Sequence, residues 1–389
     1  MFKKSLIAIA ALGAFAGSAM AADITISGRI DTGLNFVDQE KKVDGVKMID
    51  QNTFQMKSGQ YSSSRITIKG SEDLGNGMKV GFILENGFDS DDGELGQDGR
   101  LFGREAIVYL EGDFGHISMG REGALSSGVG SYNLVYGYAP WGTGWGSYTG
   151  NNGQFMIGDR DRFDNTITYR SPEFAGVQVY AQYSFKVDSD TEDENAQSTK
   201  NKRYAGLGAT YNLGAFSTGI VVDTILNENT ATSTNKEDSL GIFWGASYDL
   251  GVTKPMILVQ YGKNENKLGG FTVADMWNTD LTGEEGLKGY AVEVGAVTPL
   301  FGGNLYTSVN YTDAETDADA VFANAIRSAD VERWGLGVGY DYPLSKRTKV
   351  YGFASYNEGE LKTHGVRTGN TSKTEQTNIE AGFGLIHYF

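Results

Sequence analysis

Hydrophobic and polar positions alternate with a period of two through most of the chain. That is the side-chain period of a strand whose two faces meet different surroundings. In the last twelve residues Ile379, Ala381, Phe383, Leu385 and Phe389 share one face, while Glu380, Gly382 and Gly384 share the other. Near the amino end Ile24, Ile26, Ile30 and Leu34 fall with Gly28 and Thr32, opposite Thr25, Ser27, Arg29 and Asp31. Ile66 and Ile68 oppose Arg65, Thr67 and Lys69; Phe163, Ile167 and Tyr169 oppose Arg162, Asp164, Thr166 and Thr168. The pattern predicts sixteen strands, near 24–37, 64–73, 78–89, 102–111, 116–122, 161–170, 177–185, 203–213, 215–226, 239–249, 255–263, 287–298, 305–313, 331–342, 349–360 and 376–389.

The connections between these strands alternate short and long without a break. Seven short turns include Gly75-Asn76-Gly77, and eight longer loops begin with 38–63 and end with 361–375. An even-numbered up-and-down barrel with both termini on one side requires that order. Four of the five prolines (Pro172, Pro255, Pro299 and Pro343) sit at the short turns or their edges, where no central ladder bond is lost. The expected fold is all-β: a transmembrane, antiparallel, sixteen-stranded barrel forming one domain over 22–389. A soluble β-sandwich accounts for the strands but not for the strict alternation of loops. Closure removes the open sheet edges that hydrocarbon does not tolerate, and sixteen strands leave a lumen wide enough for water.

Targeting and composition agree with this reading. Lys3 and Lys4, the apolar run from Leu6 to Ala16 and Ala19-Met20-Ala21 read as a signal peptide over 1–21, cut before Ala22. Losing the two lysines takes the net charge from −16 to −18, so the mature chain is strongly acidic and carries no basic footprint for nucleic acid. Cysteine is absent, which rules out disulfides and thiolate metal sites. No run of about 18 apolar residues follows the leader, and the mean hydropathy of −0.33 suits a membrane protein only as a barrel with a polar lumen.

Several segments resemble the general diffusion porins of Gram-negative bacteria, most closely their Neisseria-like and β-proteobacterial branch. They are Ala22 to Gly28, Arg65-Ile-Thr-Ile-Lys-Gly70, Gly112-Asp-Phe-Gly115 leading to Gly120-Arg121, Thr168 to Gly176, and the terminal Tyr388-Phe389. The resemblance runs over essentially the whole mature chain. It implies an outer-membrane homotrimer, set among lipid and lipopolysaccharide and inserted by the barrel-assembly machinery. Each barrel would conduct small hydrophilic solutes and ions passively, without a cofactor. The loop near 90–101 is expected to latch onto a neighbouring subunit, and the third long loop to fold inward and narrow the pore.

The third long loop is 123–158, which carries no charge and is rich in glycine and aromatics: Tyr132, Tyr136, Tyr138, Trp141, Trp145, Tyr148 and Phe155. By motif position the resemblance places a basic cluster across the lumen, at Arg29, Arg65, Arg104 and Arg162. Strand alternation independently turns Arg29, Arg65 and Arg162 inward; Arg104 rests mainly on the resemblance. Candidate acidic partners are Asp31, Glu85, Glu122, Asp159, Asp161 and Asp164. Outer-loop acids lie farther from the narrow point than a Debye length of about 8 Å. Arginines facing an uncharged loop therefore predict weak selectivity for anions.

Two other classes compete. Aromatic rings in the loop could stack on sugars or bases and make a substrate-specific channel, and long outer loops could serve an adhesin. An enzyme is not supported: HExxH, P-loop and GxSxG motifs are missing, and His116, His364 and His387 are scattered. Asp89, Asp91, Asp92 and Glu94 only faintly resemble a calcium loop, so no metal is expected.

Overall fold

A computed structural model describes residues 23–142, 144–149, 156–158, 160–188, 201–227, 237–265, 267–268, 271–272, 286–316, 326–365 and 371–389. The strands are β1 (Thr25–Val43), β2 (Val46–Ser58), β3 (Arg65–Gly75), β4 (Met78–Gly87), β5 (Glu105–Gly112), β6 (Gly115–Gly123), β7 (Arg162–Arg170), β8 (Val177–Ser184), β9 (Arg203–Leu213) and β10 (Phe216–Leu226). They continue as β11 (Leu240–Tyr248), β12 (Lys254–Glu265), β13 (Lys267–Leu268), β14 (Phe271–Thr272), β15 (Leu287–Leu300), β16 (Gly303–Thr316), β17 (Ile326–Ser345), β18 (Thr348–Gly365) and β19 (Thr371–Tyr388).

Antiparallel pairing runs from β3 through β12, on to β15 and then to β19. It closes where β1 pairs with β19 on one side and β3 on the other. The wall is therefore a closed barrel of sixteen strands. The chain ends are tied together: Gly28 N donates to Phe389 O at 3.0 Å and Phe389 N to Gly28 O at 3.1 Å.

Side-chain exposure follows the predicted alternation through most strands, but Phe163, expected outward with Ile167 and Tyr169, is buried against Ala124 and Tyr204 because β7 carries an extra residue between Phe163 and Thr166. Ile24, Ile26, Phe383 and Leu385 are exposed on the apolar face, whereas Asp31 and Glu380, on the other register, are wholly buried. Aromatics gather on the outer face, with the Tyr290 and Tyr311 rings 6.2 Å apart and those of Trp334 and Tyr356 5.3 Å apart. Such belts mark the edges of the apolar band in outer-membrane barrels.

The wall departs from expectation at its long-loop end. Residues 38–63 do not form a loop: β1 runs on to Val43, turns at Asp44-Gly45 and returns as β2, which pairs with β1 above the end of β3. Asp44 and Gly45 both have positive φ, 50° and 78°, as a tight two-residue hairpin turn needs. Charges such as Glu40, Lys42, Lys47 and Asp50 masked the strand pattern, because both faces of a hairpin standing above the bilayer are wetted. For the same reason β16 to β19 extend beyond their predicted ends. The 264–286 stretch holds the short β13–β14 pair, and β5 begins at Glu105, leaving Arg104 just before it.

A register shift falls between Gly120 and Glu122 in β6. Gly120 has φ +142°, and a Cβ there would stand 2.0 Å from the Ala106 carbonyl oxygen. Gly120→Ala is expected to lower barrel stability by about 1–3 kcal/mol. The temperature at which the folded, fast-migrating form is lost on unheated gels would report it, and an unchanged midpoint would count against strain at Gly120.

Candidate functional site: an arginine cluster and the segment packed on the polar face

Arg29 and Arg65 face each other across the β1–β3 ladder. Arg29 Nη1 donates to Ser62 Oγ at 2.9 Å, and its guanidinium lies 5.4 Å from the Tyr388 ring centre. Glu85, on β4, is shared: its Oε1 accepts from Arg65 Nη1 at 3.3 Å and Arg104 Nε at 2.7 Å, and its Oε2 from Thr67 Oγ1 at 2.7 Å. Arg162 Nη1 reaches Asp161 Oδ1 at 2.9 Å. Arg104, Glu85, Arg29 and Arg162 are the charges acting on Arg65, so the four predicted arginines form one cluster.

Two further arginines join its margin. Arg121 Nη1 donates to Asp164 Oδ1 at 2.5 Å, and Arg100 binds the same carboxylate at 3.1 Å and Asp188 at 2.9 Å. Strand alternation alone did not mark Arg121; across from it β7 carries one extra residue, at Asp164-Asn165, where Asn165 has φ +52°.

The candidate acids divide by role. Glu85 and Asp161 pair with the predicted arginines, whereas Asp164 pairs with Arg100 and Arg121 instead. Asp31 accepts the Tyr61 and Ser62 amides, both at 2.7 Å, and the Tyr351 hydroxyl at 2.5 Å. It ties the chain after β2 to the wall and forms no ion pair among the described residues. Glu122 is wholly buried and takes Ser118, Thr166, Thr168 and Gln182 as donors, with no arginine among the described residues. Both depart from the expected pairing because strand facing fixes direction, not partner. Asp159 lies outside the described residues. Glu105, missed in the sequence, opposes Glu85 across the β4–β5 ladder and is buried.

The segment after β6 packs on the polar register around much of the wall. Leu125 N donates to Gln182 Oε1 at 3.1 Å, Ser126 Oγ to Asp223, Trp141 Nε1 to Ser308 Oγ at 2.6 Å and Ile157 N to Gln260 Oε1 at 2.8 Å. Glu380 receives three backbone amides in succession, from Ser147 and Tyr148 at 2.8 Å and Thr149 at 2.9 Å. Wall glycines leave room for the rings: a Cβ on Gly339 would stand 2.8 Å from Trp141 and 2.9 Å from Trp145. Tyr132, Tyr138, Trp141 and Trp145 are therefore buried packing groups, while Tyr136 and Tyr148 are half-buried. Phe155 is outside the described residues.

Just before β7 the segment ends in an ion cluster that the sequence did not reveal. Arg160 Nε donates to Asp223 Oδ1 at 3.0 Å, its Nη2 to Glu265 Oε1 at 2.7 Å and its Nη1 to Glu265 Oε2 at 2.9 Å. Burial works against the Arg160 charge, but Asp223 and Glu265 more than offset it and raise its pKa above the usual arginine range. No group of three metal-ligating side chains occurs among the described residues.

Comparison with known proteins agrees with this geometry. The Gram-negative porin family profile matches residues 8–362. An outer membrane porin protein of Bordetella pertussis is 30% identical, over 91% of this chain and 94% of its own length. Outer membrane porin protein 32 of Delftia acidovorans is 29% identical, over 98% of each. Among solved structures, the anion-selective porin from Comamonas acidovorans has a TM-score of 0.61 and 24% identity, covering 95% of this chain and all of its own. OmpT of Vibrio cholerae in its trimer form also has a TM-score of 0.61, at 14% identity, over 95% of this chain and all of its own. Closed sixteen-stranded wall, polar inner register and family match converge: the chain belongs to the Gram-negative porins, as an integral outer-membrane β-barrel and a passive channel, not an enzyme.

Proposed function

We propose that the protein is a trimeric general diffusion porin that prefers anions weakly, with 1–21 removed on export and 123–158 folded inward as the constriction. The observation that carries the anion preference is the cluster of Arg29, Arg65, Arg104 and Arg162 on one stretch of wall, beside a segment without a single charge. Guanidinium groups keep their charge even when crowded, so the cluster sets a lasting transverse field. Glu85 and Asp161 compensate it only in part, which keeps the preference weak. The solved Comamonas porin named as anion-selective and the trimeric OmpT are consistent with both points. A stacking, substrate-specific pore is less well supported, because four of the six described loop rings are buried against the wall.

In a planar bilayer under a KCl gradient, conductance is expected to appear in groups of three with a reversal potential favouring chloride. Neutralising Arg65 and Arg162 together to Gln should abolish that preference, and Glu85→Gln should strengthen it. A wild-type preference for potassium that both variants leave unchanged would sink the assignment.

A further inference from the structure

A cavity of about 160 Å³ lies on the inner side of β17, β18, β19 and β1, toward the long-loop end. Three successive ladder rows build it. The middle row reads Arg333, Gly359, Gln376, Lys41 across four neighbouring strands. The row on one side reads Gly335, Asn357, Asn378, Gln39, and on the other Val331 and Leu361 lead to Thr374. Cations thus end the middle row, separated by roughly 14 Å at about 4.8 Å per strand. Between them Gly359 leaves a hollow, since a Cβ there would find its nearest neighbour, Arg333 Cγ, only at 3.7 Å.

Each wall of the hollow has its own chemistry. Leu268, brought over from β13, joins Val331 and Leu361 in a buried apolar cluster. Asn357 and Asn378 present carboxamides on the opposite side, and Asn357 Nδ2 donates to Tyr148 O at 3.0 Å. That bond joins the cavity to the segment packed on the wall. Tyr148 and Arg333 also act on each other's charge. The nearby carboxylates are already engaged: Glu360 by Lys362 at 2.6 Å and Lys373 at 2.7 Å, Glu358 by the Tyr356 hydroxyl at 3.0 Å, and Glu380 by the amides described above. Lys41 makes no ion pair among the described residues.

We propose that this cavity binds a small organic carboxylate with an apolar body of about one ring. A void of this size holds a single six-membered ring. The apolar side takes the ring, Arg333 and Lys41 supply opposite charge, and the carboxamides supply hydrogen-bond donors. A bare halide would leave the apolar side unused, and a neutral ring would leave Lys41 unanswered. Such a site would add solute preference to a diffusive channel, at a place separate from the arginine cluster.

Titration calorimetry of the folded, detergent-solubilised protein with benzoate tests this directly. Saturable binding is expected, weakened about tenfold by Lys41→Gln through the lost charge-assisted contact. Arg65→Gln/Arg162→Gln should bind as wild type does. Bilayer current should fall saturably with benzoate in wild type, and only at higher concentrations in Lys41→Gln. The proposal is overturned if benzoate binds no more tightly than about 10 mM, if benzyl alcohol binds equally well, or if the Arg65/Arg162 variant loses binding while Lys41→Gln keeps it.

Discussion

Arg160→Met is expected to cost about 3–5 kcal/mol, the range for removing one partner of a buried ion pair. The guanidinium is 4% exposed, and its partners Asp223 and Glu265 are 0% and 2% exposed. Water cannot take over its role at either carboxylate. Asp223 also accepts from Ser126 Oγ and from the Tyr204 hydroxyl at 3.2 Å, so one charged centre fastens both the start and the end of the 123–161 stretch to β10 and β12. The loss should appear as a lower midpoint for the heat-induced mobility shift and as unstable conductance. A triple variant, Arg160→Met/Asp223→Asn/Glu265→Gln, separates charge from packing. Neutralising the stranded carboxylates should recover most of the lost stability, because a buried ion cluster often contributes little net over a neutral replacement. A triple variant as weak as the single one would mean that hydrogen bonding and packing, not uncompensated charge, account for the loss. A single variant with an unchanged midpoint would remove Arg160 from the support of the segment.

What the sequence made legible is what a strand's period carries. Alternation assigned Ile24, Ile26 and Phe383 outward and Asp31 and Glu380 to the other face, and the spacing of turns implied closure through the terminal strand. Arg29 and Arg65 were marked for the same reason, as polar-register residues of β1 and β3; Arg162 lies beyond the β7 register shift, where a count of two no longer gives the face. A register gives a side chain's direction and nothing about what it meets across the barrel. Glu380 and the amide of Ser147 are 233 residues apart, and nothing in either neighbourhood announces the bond.

Two other gaps have local causes. A count of two sets Arg121 on the register opposite Glu122 and so misses it, and the extra residue across from it, at Asp164-Asn165 of β7, leaves no mark in the pattern. Arg160, between Asp159 and Asp161, reads as part of a solvated charged flank until Asp223 and Glu265 are brought against it. The β1–β2 hairpin did carry a signal, Asp44-Gly45, but its charges suggested a loop. In a barrel whose strands outgrow the bilayer, charge marks height above the membrane as much as the absence of a strand.

Glu380→Ala is expected to release the middle of the 123–158 segment while leaving the wall intact. The carboxylate is wholly buried; besides the three amides it accepts Asn35 Nδ2 at 2.8 Å and the Thr149 hydroxyl at 3.0 Å. Gly146, at φ +76°, wraps the chain so closely that a Cβ there would stand 2.5 Å from Oε2. Truncation leaves these donors without an acceptor, at about 1–3 kcal/mol for each one still buried. The segment therefore lowers its free energy by moving to water. With the segment inside the pore, that movement widens the narrow point: single-channel conductance should rise and fluctuate more. The heat-induced mobility shift should stay close to wild type, because the β18–β19 and β1–β19 ladders do not depend on this side chain. Glu380→Gln keeps one acceptor oxygen but turns an NH2 group toward the remaining amides, so its conductance should fall between the two. Wild-type conductance and noise in Glu380→Ala would show that the buried rings of Trp141 and Trp145 hold the segment unaided. Collapse of the barrel in that variant would show instead that segment and wall fold as one cooperative unit.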